Sequence, residues 1–143
     1  MRLALRMSVA LLCGCLPPVV VEDPRAMGPE RDRWEATIAA TPASLFLTSM
    51  SVLADSGFSV RHADAAAGII GTNLRRVSGR GADGDYRLDL MLLPVADSTR
   101  IIVRGELCLP VDRVVRCFPQ TMHAVGWSVI RSVGEAIIAR SRR

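Results

Sequence analysis

The sequence predicts an α+β domain, an antiparallel sheet with a long C-terminal helix packed across it, in the order β-α-β-β-β-β-α. Three observations predict it. Short runs of alternating apolar and polar residues recur between residues 34 and 105. A capped helical stretch follows the first of them. The chain then ends on an apolar stripe with helical spacing.

Trp34 to Ala40 places Ala36, Ile38 and Ala40 on one side and Glu35 and Thr37 on the other, as a half-buried strand does. Thr41-Pro42 reads as an N-cap followed by proline at the first helical position. The helix should run to about Ser56, with Leu45, Ser49, Val52 and Leu53 on its inner face and Gly57 just beyond its end. Phe58-Ser59-Val60 begins a strand, Ala63 to Gly68 makes a turn, and Ile69 to Leu74 forms the next strand. Gly79 to Gly84 is a hairpin loop. Tyr86, Leu88, Leu90 and Leu92 then alternate with Arg87, Asp89 and Met91. Asp97-Ser98 is the following turn, and Ile101, Val103 and Gly105 alternate with Arg100, Ile102 and Arg104. Val111 to Phe118 is ambiguous. From Pro119 a long helix is expected, with Met122, Val125, Val129, Val133, Ala136 and Ile137 along one stripe.

The first fourteen residues have the three parts of an export signal. Arg2 and Arg6 are basic, Met7 to Leu12 is a short apolar run, and Gly14 is a small residue before Cys15. That run is too short for a transmembrane helix, which needs about 20 apolar residues. Leu12-Cys13-Gly14-Cys15 resembles the lipobox of bacterial lipoproteins, although Cys13 stands where Ala or Ser is commoner. The resemblance implies cleavage between Gly14 and Cys15 and a diacylglyceryl thioether on Cys15, with an N-acyl chain such as palmitate. Two or more lipid signals are what stable anchoring requires. Leu16, rather than Asp, follows the cysteine. By analogy with lipoprotein sorting, this implies an outer-membrane lipoprotein facing the periplasm if the host is diderm.

The expected organisation is a signal peptide at 1–14, a lipidated cysteine and tether at 15–33, and a single α+β domain at 34–143. Pro17, Pro18, Pro24, Gly28 and Pro29 give the tether no sustained period. All 18 basic residues are arginine, and the net charge of +4 falls to +2 once Arg2 and Arg6 leave with the signal. Aromatic residues are few, so the stacking platform and clustered basic face of a nucleic-acid binder are missing. The basic cluster Arg140, Arg142 and Arg143 suits a helix C-terminus, with a lipid-headgroup contact as the alternative. Cys108 and Cys117 remain as a pair after processing. In an oxidising compartment they are expected to form a disulfide, and in the cytosol two buried thiols. No CxxC spacing supports a zinc site.

Leu53-Ala54-Asp55-Ser56-Gly57-Phe58-Ser59-Val60, then Asp64, then Gly68-Ile69-Ile70-Gly71-Thr72, resembles a motif of small envelope lipoproteins. These include the BamC (NlpB) type, associated with outer-membrane protein assembly. The resemblance covers about a quarter of the domain and implies a helix-grip-like fold without enzymatic activity. Its residues have fold-forming roles: Gly57 ends the helix, Phe58 and Val60 plug the core, Asp64 caps a turn, and Gly68 lets the hairpin reverse.

Chemistry finds little support. Gly79-Arg80-Gly81-Ala82-Asp83-Gly84 spells GxGxxG, but between two strands it is a hairpin tip rather than a pyrophosphate cradle. Asp83 and Asp85 lack the twelve-residue loop of a calcium site. His62, Asp64 and His123 (the last expected on the final helix) have no nucleophile in a recognisable motif. Asp55 and Glu135 are single helix carboxylates rather than an acid–base pair. No catalytic residue, metal or cofactor is therefore expected beyond the covalent lipid. The expected function is a non-enzymatic accessory module that contacts the membrane through its anchor and an envelope protein through its domain. The alternative is a carrier holding a small hydrophobic ligand between sheet and last helix, lined by Leu88, Leu90, Leu92, Val129 and Val133.

Overall fold

A long two-stranded hairpin runs through the middle of the molecule. Its strands are β5 (Gly84–Val95) and β6 (Ser98–Val111), paired without interruption from Asp85↔Cys108 to Val95↔Ser98. The computed structural model describes residues 32–79 and 82–143. The remaining elements are β1 (Trp34–Ile38), α1 (Pro42–Asp55), β2 (Val60–Asp64), β3 (Ile69–Thr72), β4 (Arg75–Val77), β7 (Val114–Pro119) and α2 (Trp127–Ser141).

All strands join one antiparallel sheet, in the order β1-β6-β5-β3-β2. β4 and β3 share one edge of β5, while β7 and β1 share the far edge of β6. The expected α+β class and the C-terminal helix on the sheet are both present. Both helices lie on the face carrying Ile70, Tyr86, Leu88, Leu90, Leu92, Ile101 and Val103, all essentially buried. Val129, Ile130, Val133 and Ile137 of α2 and Leu45, Val52 and Leu53 of α1 complete the core.

Local chemistry explains the elements that the sequence placed well. Thr41 Oγ1 accepts from Ser44 N–H at 3.3 Å, and Pro42 opens α1 where its missing N–H is no loss. The buried residues of α1 are the four expected, Leu45, Ser49, Val52 and Leu53. The Ser49 hydroxyl is buried with no hydrogen-bond partner among the described residues. Gly57 takes φ +77°, Phe58 is buried beneath the Arg75 guanidinium at 5.1 Å, and Asp64 Oδ1 accepts from Ala67 N–H at 2.9 Å. Gly68 has φ +67°, and a Cβ there would strike the Leu92 carbonyl, so no other residue fits without movement.

Three expectations are corrected and one ambiguous stretch is resolved. The stretch expected as one strand over Ile69 to Leu74 ends at Thr72, and a separate strand β4 follows. The sheet therefore has seven strands, and the element order gains two. The ambiguous stretch before Phe118 is the strand β7, opposite β6 from Val111↔Val114 to Glu106↔Pro119. The β5–β6 turn is Ala96-Asp97 rather than Asp97-Ser98, with Ala96 at φ 50°. Finally, α2 begins at Trp127 and not at Pro119, which ends β7 instead. Gln120 N–H bonds the Gly105 carbonyl, and the Gln120 side chain accepts from Gly126 N–H while donating to the Phe118 carbonyl. This buried side chain holds residues 120–126 as turns, so Met122, His123 and Val125 lie outside the helix, and Val125 is exposed.

α2 comes down on the sheet through two notches. Ile130 seats on Gly105 of β6, and the Trp34 ring of β1 fills the space where Gly134 lacks a side chain. Its last turn is tied to α1 by Arg140, which contacts Asp55 Oδ2 at 2.6 Å and Ser51 Oγ at 2.7 Å. Among the described residues no helix is long and apolar enough to cross a membrane.

Gly134→Ala should destabilise the domain by roughly 1–3 kcal/mol through overpacking, although alanine favours helix. Thermal unfolding should show the loss, and adding Trp34→Leu should recover part of it. Tyr86 offers a second check. Burial, and then the charge of Asp83, raise its pKa above the ordinary 10.0. The stability this implies is whole below about pH 10 and is lost as pH rises through the folded value. A pH series should show alkaline destabilisation that Tyr86→Phe reduces.

Candidate functional site

The face of the sheet turned away from both helices carries a second pattern. Cross-strand neighbours share a face, so Ile69↔Met91 and Met91↔Ile102 set Ile69, Met91 and Ile102 in one row across β3, β5 and β6. Ile102 is buried by its neighbours, Met91 is half-buried, and Ile69 is 37% exposed. Leu93 lies one step along β5 on the same face.

Charges border this row. Toward the turn, Arg100 stands opposite Leu93. On the other side Asp89 pairs with Arg104 across the ladder, and Arg87 with Glu106 in a close ion pair. Arg76 approaches Asp85 at 3.7 Å, and Asp32 approaches Arg104 at 3.9 Å. Asp89 and Arg61 both reach over Gly71, where a side chain would meet them. A shallow depression lined by Glu35, Ala36, Thr37 and Arg100 opens at the β1 end of the row. An apolar centre within a polar, charged rim is the anatomy of a protein-contact surface. Sequence reasoning missed this row because alternation in any one strand marks these residues only as solvent-facing. The signal appears once three strands are in register.

The structure disperses the titratable residues singled out in the sequence. His62 and Asp64 are exposed on β2, and His123 is exposed in the turns before α2. Asp55 is taken up by Arg140, and Glu135 pairs with Arg131 at 2.7 Å one helical turn away. In the glycine-rich loop Asp83 Oδ1 accepts from Gly79 N–H at 2.9 Å, and the loop leads from β4 into β5 rather than into a helix. Residues 80 and 81 lie outside the described residues, as do the lipidation and cleavage positions Cys15 and Gly14.

Cys108 and Cys117 face each other across β6 and β7 and are joined as a disulfide. Glu106 has a carboxylate oxygen within 4.8 Å of both sulfurs. The disulfide uses up the thiolates a metal would need, and Glu106 is engaged by Arg87. Leu88, Leu90, Leu92, Val129 and Val133, the residues expected to line a ligand cavity, belong to the common core. No protein-family model matches the chain, and no curated protein matches it either.

The bridge closes a loop with a sequence separation of 9. Replacing both cysteines by serine should lower the unfolding free energy by about 2–3 kcal/mol on the chain-entropy argument. Denaturant unfolding of the variant and of the reduced wild type should give the same loss.

Proposed function

We propose that this chain is an exported lipoprotein, anchored through Cys15, whose domain acts as a non-enzymatic accessory module contacting an envelope protein with the open face of its sheet. The observation that carries this reading is the Ile69–Met91–Ile102 row, an apolar centre with a charged rim on the face turned away from α1 and α2. The lipobox-like Leu12-Cys13-Gly14-Cys15 supports the anchor, and the Cys108–Cys117 bridge suits an oxidising compartment. The likeness of Leu53 to Thr72 to lipoproteins of the BamC type is what suggests a partner in outer-membrane protein assembly. A carrier would hold its ligand among side chains that here pack against one another, so the interaction reading is preferred.

Two measurements test it. The intact mass of protein from the membrane fraction should match residues 15–143 plus acyl groups, and reduction should add the two hydrogens of an opened disulfide. A photo-crosslinking residue at Met91 should capture an envelope protein, with no such product from Ser132 on the exposed side of α2. Ile69→Arg, added to the protein that carries the crosslinker at Met91, should abolish the product without lowering the melting temperature. An unprocessed mass in the soluble fraction would sink the anchor, and equal crosslinking from both positions would sink the open-face contact.

A further inference from the structure

Past the Cys108–Cys117 bridge, β6 and β7 continue as a two-stranded arm. β5 pairs with β6 only as far as Cys108, so among the described residues Leu109 to Val111 have β7 alone as a neighbouring strand. The arm exposes Val114 (59%), Val115 (60%) and Leu109 (37%), and Phe118 (45%) adjoins its base on the body side of the bridge. Its two faces are both apolar. Register puts Leu109 and Val114 on one side, with Arg116 opposite Leu109, and Pro110 and Val115 on the other. A flat protein surface could cover only one of these sides, whereas the headgroup region of a bilayer surrounds both. Arg113 stands in the turn and Arg116 in β7, both exposed, against the single acidic Asp112. Long basic side chains beside apolar ones are suited to an anionic interface, where their stems stay in the apolar layer and their charges reach the phosphates.

Chain direction adds an independent argument. β1 enters its pairing at Trp34↔Val103 and runs toward Ile38↔Thr99, away from the arm. The N-terminal end of β1 therefore points toward the arm's end of β6. The chain from Cys15 to Asp32 is eighteen residues, or seventeen Cα steps, and can span at most about 60 Å. Lipid on Cys15 would keep the domain within that distance of the membrane, raising the local concentration of bilayer so that even weak affinity of the arm suffices.

We propose that the β6–β7 arm lies against the membrane, with Leu109, Val114 and Val115 entering an anionic headgroup layer and Arg113 and Arg116 paired to its phosphates. This inference rests on the lipid-anchor reading but not on the open-face contact.

The test places a tryptophan at the arm and another at the far end of β5, opposite the first residue of β6. Val115→Trp and Val95→Trp are each made in the full, lipidated protein and reconstituted into vesicles of phosphatidylethanolamine with phosphatidylglycerol. In each, the added emission is read against the wild-type background of Trp34 and Trp127. The emission from position 115 should shift to the blue and be quenched when the lipids carry bromine, while that from position 95 should change in neither respect. Val114→Trp repeats the reading if the first variant folds poorly. Emission from 115 that stays unquenched, or equal quenching at both positions, overturns the proposal. If mass analysis finds no lipid on the protein, the anchor reading fails by itself. Adding the same variants to vesicles from solution then decides the arm: binding with quenching at 115 retains the membrane contact, and no quenching overturns it.

Discussion

Everything in this domain hangs on the register between β5 and β6. Eleven successive pairs, from Asp85↔Cys108 to Val95↔Ser98, decide which side chains face the helices and which face away. A slip of one residue would send Leu88, Leu90, Leu92, Ile101 and Val103 into solvent and bring Arg87, Asp89, Arg100 and Arg104 against the helices. The register is protected from both sides. On the helix side the apolar residues are fully buried. On the open side opposite charges stand directly across the ladder, as Arg87 with Glu106 and Asp89 with Arg104.

The other elements take their positions from this hairpin. β3 and β4 divide one of its edges, β1 and β7 divide the other, and the disulfide joins β7 to β6 where β5 stops. The Asp112-Arg113 turn has both residues at positive φ, the mirror-image geometry that suits the twist of a tight hairpin. Arginine is a poor occupant of that conformation, which costs about 1–2 kcal/mol at a non-glycine residue. The disulfide holds the strands together below a turn that does not favour itself. On the helix side, small residues at Gly105 and Gly134 let α2 settle close to β6 and β1.

Much of the fold was legible because its signals are local. Thr41-Pro42 announces α1, Leu88, Leu90 and Leu92 of β5 alternate with Arg87, Asp89 and Met91, and Gly57 and Asp64 sit where a helix end and a turn need them. The sequence misled where a local pattern had two readings. Pro119 is as good a last residue for an edge strand as a first residue for a helix. The spacing of Met122 and Val125 matched the α2 stripe by coincidence, and only the pairing of Gln120 with Gly105 settles the matter. β4 is three residues long and carries no pattern of its own. The candidate contact row was illegible for a different reason: Ile69, Met91 and Ile102 lie far apart in the chain and become neighbours only through two sets of strand pairs.

The head-to-tail placement of β7 and β1 along one edge of β6 has a mechanical consequence. A load applied through residues before Asp32, and directed past the arm, runs along the axis of β1. The hydrogen bonds between β1 and β6 then carry it together, in shear. Had β1 run the other way, the same pull would first have to bend the chain back on itself and would peel those bonds apart one by one. The entry direction of a single five-residue strand therefore sets how firmly the domain grips whatever holds its N-terminus.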